Sequence, residues 1–248
     1  MPSFAEIVRD IKTVYHLVKP VRGNTHQERL ENFYSGQAEN YDLFRQRLLQ
    51  GREKLYQSVS SHDGEIWIDF GGGTGANFEP IGDRLSKFGK IYIVDLCPSL
   101  LEVARQRTAD RGWTNVEVVQ SDVTQFVPPE GKADFVTFSY SLTMIPNWFA
   151  AIDQAYRLLK PGGVLGVVDF YAPRKHPPSG WRSYPFLMSS FWQVWFGTDN
   201  VFLSRDHAPY LHHYFEPVSF SENMANLPFL PGLQVPYYLF VGQKNKEC

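Results

Sequence analysis

The 248-residue chain sets 24 Lys and Arg against 26 Asp and Glu, and 43% of it is hydrophobic. It can therefore fill the core of one large α/β domain, which excludes a disordered tail, and its formal charge of -2 lacks the basic footprint of a nucleic-acid binder. Two cysteines, Cys97 and Cys248, make neither a disulfide framework nor a structural zinc site; they fit a reducing compartment, so a cytoplasmic address and no metal centre are expected.

At the N-terminus, Glu6, Arg9, Asp10 and Lys12 interrupt the apolar run that a secretory signal needs. Phe4, Ile7, Val8, Ile11, Val14, Tyr15 and Val18 recur instead at the spacing of an amphipathic helix. Lys19-Pro20 and Gly23-Asn24 end it, and a second helical zone is predicted from about Gln27 to Val59, divided near Gly36. From Glu65 the pattern changes to short apolar runs separated by helix-sized polar stretches: Ile66 to Phe70, Ile91 to Leu96, Val116 to Gln120, Phe135 to Tyr140 and Val164 to Phe170. Such runs read as parallel strands buried on both faces, the signature of a doubly wound sheet. A Pro-rich break, Pro173 to Pro178, precedes a segment from Trp181 to Phe240 that holds 16 of the chain's aromatic residues, and Tyr237 to Val241 reads as a last strand. Phe186 to Phe196, the most apolar stretch there, is shorter than the roughly 20 residues of a membrane span.

The first strand runs into Asp69-Phe70-Gly71-Gly72-Gly73-Thr74-Gly75, a turn whose glycines let a ligand approach the backbone. Gly71, Gly73 and Ala76 satisfy the dinucleotide pattern G-x-G-x-x-A, with Asp95 placed to grip a ribose, so a nicotinamide cofactor is one reading. The other begins with Asp69, which extends the motif to D-x-G-x-G-x-G and resembles the first motif of class I S-adenosylmethionine methyltransferases. Two more segments resemble that family: Gln120-Ser121-Asp122-Val123 after the third strand, and Leu158-Leu159-Lys160-Pro161-Gly162-Gly163-Val164-Leu165 leading into the fifth. The resemblance implies a Rossmann-like, mostly parallel seven-stranded sheet and the cofactor S-adenosylmethionine, released as S-adenosylhomocysteine. Asp95 would hold the ribose hydroxyls and Asp122 the adenine amino group, with Leu96 and Val123 also among the cofactor-binding residues. Asp69, Gly71, Gly73, Gly75 and Ser139, with Ser141, would surround the methionine portion.

Gln27-Glu28-Arg29-Leu30-Glu31-Asn32-Phe33-Tyr34-Ser35-Gly36-Gln37-Ala38, then Tyr41-Asp42 and Leu48-Leu49-Gln50-Gly51-Arg52-Glu53, resemble the methyltransferase component of betaine-lipid synthesis, as do Phe191-Trp192-Gln193-Val194-Trp195-Phe196 and Pro236 to Gly242. One methyltransferase domain is expected over residues 1–248: a helical cover (1–60), a cofactor-binding core (61–172), and an aromatic cap with the last strands (173–248). The resemblance implies successive N-methylation of a diacylglyceryl homoserine, supplied by an aminocarboxypropyl transferase partner and reached through peripheral membrane contact. Its rivals are another lipid-like or quinone-like acceptor and a noncatalytic partner subunit. Tyr41 and Arg52 are placed to close over the cofactor, Arg52 on its carboxylate. Tyr140, His207, His212 and His213 are the candidates to hold the amine or take its proton. Tyr34, Trp181, Trp192 and Trp195 are candidates for a trimethylammonium pocket, with Arg174, Lys175 or Arg182 for the substrate carboxylate.

Overall fold

The computed structural model describes residues 23–34, 48–59, 63–197, 201–227 and 232–245. The expected N-terminal amphipathic helix and Tyr41 lie outside them. Within the second helical zone the described helices are α1 (His26–Tyr34) and α2 (Arg52–Ser58).

Strands β1 (Ile66–Phe70), β2 (Lys90–Asp95), β3 (Val116–Gln120), β4 (Ala133–Ser139), β5 (Leu159–Phe170), β6 (Glu216–Asn226) and β7 (Gln234–Gln243) form one seven-stranded sheet ordered β3-β2-β1-β4-β5-β7-β6. The first five are parallel; β7 pairs antiparallel with both β5 and β6. A 3₁₀ segment, Ala76–Lys87, follows β1 and is kinked at Gly82 (φ 59°). Helix α3 (Pro98–Asp110) follows β2, a short 3₁₀ turn (Leu142–Met144) and α4 (Trp148–Leu158) follow β4, and α5 (Phe186–Gly197) and α6 (His207–Tyr214) precede β6.

Alternation along each central strand divides the core between the sheet's faces. Trp67, Ile91, Ile93 and Phe135 pack with α2 and the 3₁₀ segment, and Ile68, Phe70, Tyr92, Val94, Val136 and Phe138 pack with α4. Trp67 is fully buried, and its indole N–H donates to Thr137 Oγ1 at 2.8 Å, so the largest side chain under the sheet leaves its polar atom satisfied.

Two readings of the C-terminal part change. The strand expected at Tyr237 to Val241 lies inside the longer β7, and its neighbour β6, where Val218 and Phe220 alternate with Ser219 and Ser221, is a further strand at the sheet's exposed edge. The aromatic segment is mainly packing: Trp192, Phe215, Tyr238 and Phe240 are buried in the two cores.

Chain order reverses between β1 and β4, and in open α/β sheets ligands bind beyond the carboxyl ends of the strands at such a point.

Candidate cofactor and acceptor site

A cavity of about 230 Å³ opens at that point. Its floor is Gly71 and Gly73 after β1, Asp95 and Leu96 at the end of β2, Asp122, Val123 and Thr124 after β3, and Tyr140 and Ser141 after β4. Given the strand order, it runs from Asp122 on one side to Tyr140 on the other, three strand spacings or about 14 Å. Helix α1 adds His26, Leu30 and Tyr34 as a further wall, and Met144, Ile145, Pro146 and Asn147 close the β4 side.

Backbone geometry explains the glycines. Gly71 has φ 67°, and a Cβ there would lie 2.4 Å from Ser141 Cβ; the Ser141 hydroxyl in turn donates to the Phe70 carbonyl at 2.9 Å. The loop is thereby pressed against the β4 turn with no room for a side chain. Gly73 has φ 56°, and its amide donates to Asp95 Oδ2 at 3.0 Å, while the Cys97 amide donates to Asp95 Oδ1 at 2.9 Å. Two backbone donors thus fix the rotamer of a carboxylate that faces the cavity. Asp122 is fixed locally: its Oδ1 accepts from the Thr124 amide and the Thr124 hydroxyl, both at 2.8 Å.

These residues fit a nucleoside bearing an amino-acid tail. Asp95 and Asp122, two carboxylates held by backbone amides, flank the side-chain-free turn of Gly71 and Gly73 on the cavity floor, a donor and acceptor set suited to ribose hydroxyls and an adenine amino group. Asp69 itself does not line the cavity. Its Oδ1 accepts from Tyr56 OH (2.5 Å) and Thr137 Oγ1 (2.7 Å), and burial pushes its pKa up to about 6, so it supports the loop from below. Gly75 and Ser139 also stand off the cavity. Gly75, at φ 71°, starts the 3₁₀ segment, where a Cβ would meet Ile93 Cδ1 at 2.8 Å; Ser139 is buried at the end of β4.

Arg52 turns away as well. Its Nε donates to the Leu49 carbonyl and its guanidinium to Asn77 Oδ1, each at 3.2 Å, and Asn77 donates on to Tyr56 OH. It joins α2 to the 3₁₀ segment rather than lining the cavity.

Tyr140 lines the cavity but is not poised to take a proton. Its hydroxyl donates to the Gln50 carbonyl at 2.6 Å, and burial holds its pKa well above the usual phenol range. Among the described residues it is the non-glycine residue with positive φ (54°), an outlier fixed by its amide bond to Val168 O (2.7 Å) and its ring against Phe170 (4.6 Å). Its place is that of a shaped wall at the turn out of β4.

The histidine assignments are corrected. His207 is wholly buried beside Trp148 (ring centroids 4.8 Å), and burial depresses its pKa to about 3. His212 packs against Trp181 (5.0 Å), Phe220 (4.9 Å) and Phe240 (5.1 Å), and burial lowers its pKa too. Neither lines the cavity, nor does His213, which is exposed on the same helix. Trp181, Trp192 and Trp195 are likewise absent from its walls, and Arg174 pairs with Asp206 at 2.6 Å.

Sequence reasoning missed His26, the imidazole that does face the cavity; burial, then Arg29, lowers its pKa, against a smaller opposing effect of Asp122. The signal was present in Thr25-His26-Gln27-Glu28, a capping box that starts α1 one residue earlier than the apolar pattern does.

Residues 23–191 match the model of the ubiE/COQ5 methyltransferase family. A ubiquinone/menaquinone biosynthesis C-methyltransferase from Hydrogenovibrio crunogenus is 28% identical over 149 residues, 58% of this chain and 59% of that protein. A protein of the same name from Pseudomonas putida is 32% identical over 142 residues, 55% and 56% of the two chains. The chain thus spans less than two thirds of these curated relatives' length. The N-methyltransferase NodS from Bradyrhizobium japonicum WM9, solved in complex with S-adenosylhomocysteine, shares the fold: TM-score 0.61 and 17% identity over 87% of this chain and 98% of that one. With the family match extending from the wall helix through the strand-end cradle, the chain belongs to the ubiE/COQ5 methyltransferase family, of the class I, S-adenosylmethionine-dependent fold.

Proposed function

We propose that this chain transfers methyl groups from S-adenosylmethionine to the head-group nitrogen of a diacylglyceryl homoserine, giving the trimethylated betaine lipid in successive steps. The observation that carries this reading is the position of α1: the segment whose sequence resembles betaine-lipid methyltransferases, Gln27 to Ala38, is the one that puts Leu30 and Tyr34 on the cavity wall, where an acceptor would meet the cofactor.

The cofactor supplies an electrophilic sulfonium methyl group when bound. Asp95 would hold its ribose, Asp122 and Val123 its adenine, and the Gly71–Gly73 backbone would make room for its methionine tail. Tyr140, Ser141 and Met144 would then surround the methyl group it supplies. There the chain's contribution is alignment of the acceptor nitrogen, which is worth up to about 7 to 11 kcal/mol in well-oriented reactions. An α-amino group with a pKa of about 8 or somewhat higher releases its proton at a cost of about 1.4 kcal/mol per unit above ambient pH, so water can take it and the committed Tyr140 hydroxyl suffices as a wall.

An amphiphilic acceptor also suits the surface beside the cavity. Phe202, 59% exposed, donates its amide to the Thr143 carbonyl next to cavity-lining Met144, and Phe191 and Val194 on α5 are 45% and 74% exposed. Phe202 beside the cavity and the exposed apolar side chains of α5 support peripheral contact with a bilayer; no described helix is long and apolar enough to cross one. An aminocarboxypropyl transferase would supply the acceptor and is the expected partner.

The second reading is C-methylation of a quinone precursor, favoured by the names of the curated relatives. Incubation of the purified chain with labelled S-adenosylmethionine and either diacylglyceryl homoserine or a demethylated quinol separates them. Label in the mono-, di- and trimethylated lipid is expected; label in the quinol alone would overturn the lipid reading.

A further inference from the structure

Helix α1 meets the cavity along a single stripe. His26, Leu30 and Tyr34 recur every four residues, about 12 Å at about 1.5 Å rise per residue, which matches the extent of the strand-end floor opposite. The helix is firmly started: Thr25 Oγ1 accepts the Glu28 amide at 3.1 Å, and Glu28 Oε2 accepts the Asn24 amide at 2.7 Å.

One carboxylate of this wall bonds to the β2–α3 turn. Glu31 Oε2 accepts from the Ser99 hydroxyl (3.0 Å), the Ser99 amide (3.2 Å) and the Cys97 thiol (3.3 Å). Leu30, Phe33 and Tyr34 pack around it against Cys97, Leu100 and Met144. Cys97 also gives its amide to Asp95, the acid that faces the ribose position. A single residue of the β2–α3 turn is therefore shared between the cofactor's floor and its wall. Burial pushes the Cys97 thiol up to about 12, so it remains a donor to Glu31.

We propose that Glu31 is a positioning residue that holds α1 closed over S-adenosylmethionine, with its bonds to Ser99 as the latch that must open for the cofactor to enter and its product to leave. This rests on the cofactor reading of the cavity. Loss of the latch frees the wall, so it weakens cofactor binding and loosens the side of the cavity that carries Leu30 and Tyr34.

The test uses the full chain and its Glu31→Ala, Ser99→Ala, double Glu31→Ala/Ser99→Ala and Glu31→Gln variants, with S-adenosylhomocysteine as the probe in calorimetry. Each alanine variant should raise the Kd about tenfold or more, as expected for hydrogen bonds to a charged acceptor. The double variant should be no worse than the worse single, because both remove the same contact, and Glu31→Gln should recover part of the loss. Hydrogen exchange across residues 26–34 should slow on adding S-adenosylhomocysteine to the wild type and far less in the alanine variants. KM for S-adenosylmethionine should rise in the alanine variants and fall back in Glu31→Gln, a recovery that a general loss of folding would not produce. Unaltered affinity in either single variant, or losses that simply add in the double, would overturn the latch. Failure of the wild type itself to bind S-adenosylhomocysteine would instead overturn the cofactor reading beneath it.

Discussion

Gly73 gives its amide hydrogen to the carboxylate of Asp95 at 3.0 Å, so the turn after the first strand and the acid that ends the second are one rigid unit. Removing either partner disturbs both the floor of the cavity and its ribose-facing charge.

Asp95→Ala should therefore lower S-adenosylhomocysteine affinity by about 1.5 to 3 kcal/mol, roughly 10- to 150-fold, through lost hydrogen bonds to a charged acceptor. Calorimetry measures it directly. An affinity within twofold of wild type would remove Asp95 from the site.

Gly71→Ala should cost both folding and binding. The new methyl would stand 2.4 Å from Ser141 Cβ at φ 67°, a clash added to a strained conformation, and a thermal melt should show a loss of about 1 to 3 kcal/mol. Adding Ser141→Gly removes the clashing atom and should restore part of the stability but not the strain.

His207→Leu tests whether that residue takes part in transfer. The imidazole is buried without a hydrogen-bond partner among the described residues, so kcat should stay near the wild-type value. Its folded pKa of about 3 lies below the unfolded value of about 6.5, so the unfolded chain binds the proton first. Stability is then lost as pH falls from about 6.5 toward 3, and the variant should unfold at a lower pH than wild type. Acid titration followed by near-ultraviolet circular dichroism reads the midpoint; an unmoved midpoint would contradict the assignment.

Asp69 titrates with the opposite dependence. Its folded pKa of about 6 lies above the unfolded value near 4, so the folded state holds the proton longer and stability falls as pH rises between about 4 and 6. Asp69→Asn keeps an oxygen for Tyr56 and Thr137 and has no charge to bury. Denaturant midpoints at pH 4 and pH 7 should differ less for the variant than for wild type, since about 3 kcal/mol of that decline belongs to this group. Asp169, pushed up to about 7 by burial, contributes in an overlapping window and keeps some of the decline in place.

What could be read from sequence follows where turns bound an apolar run, even on edge strand β3, which has no buried residue. Ile66 to Phe70 and Val116 to Gln120 match β1 and β3 because their apolar runs are bounded by turns, and the acids at strand ends, Asp95 and Asp122, fall on the cavity because the fold fixes where strands end. Edge strand β6 offers only the short alternation Val218-Ser219-Phe220-Ser221 before Glu222 and Asn223 interrupt it, too little to mark a strand of 11 residues. The histidines misled because an imidazole's chemistry is the same in a core as in a cleft; only packing separates His207 against Trp148 from His26 on the cavity wall. Asp69 misled for a related reason: its place in the glycine motif gives proximity to the loop, while strand alternation turns its side chain underneath, toward Tyr56.

Crystals of the chain grown with S-adenosylhomocysteine test the central claim most directly. The account predicts electron density along the strand ends, with ribose hydroxyls on the Asp95 carboxylate, adenine beside Asp122 and Val123, and the sulfur over Gly71 and Gly73 facing Tyr140. A ligand bound elsewhere, with no ribose hydroxyl on the Asp95 carboxylate, would contradict it.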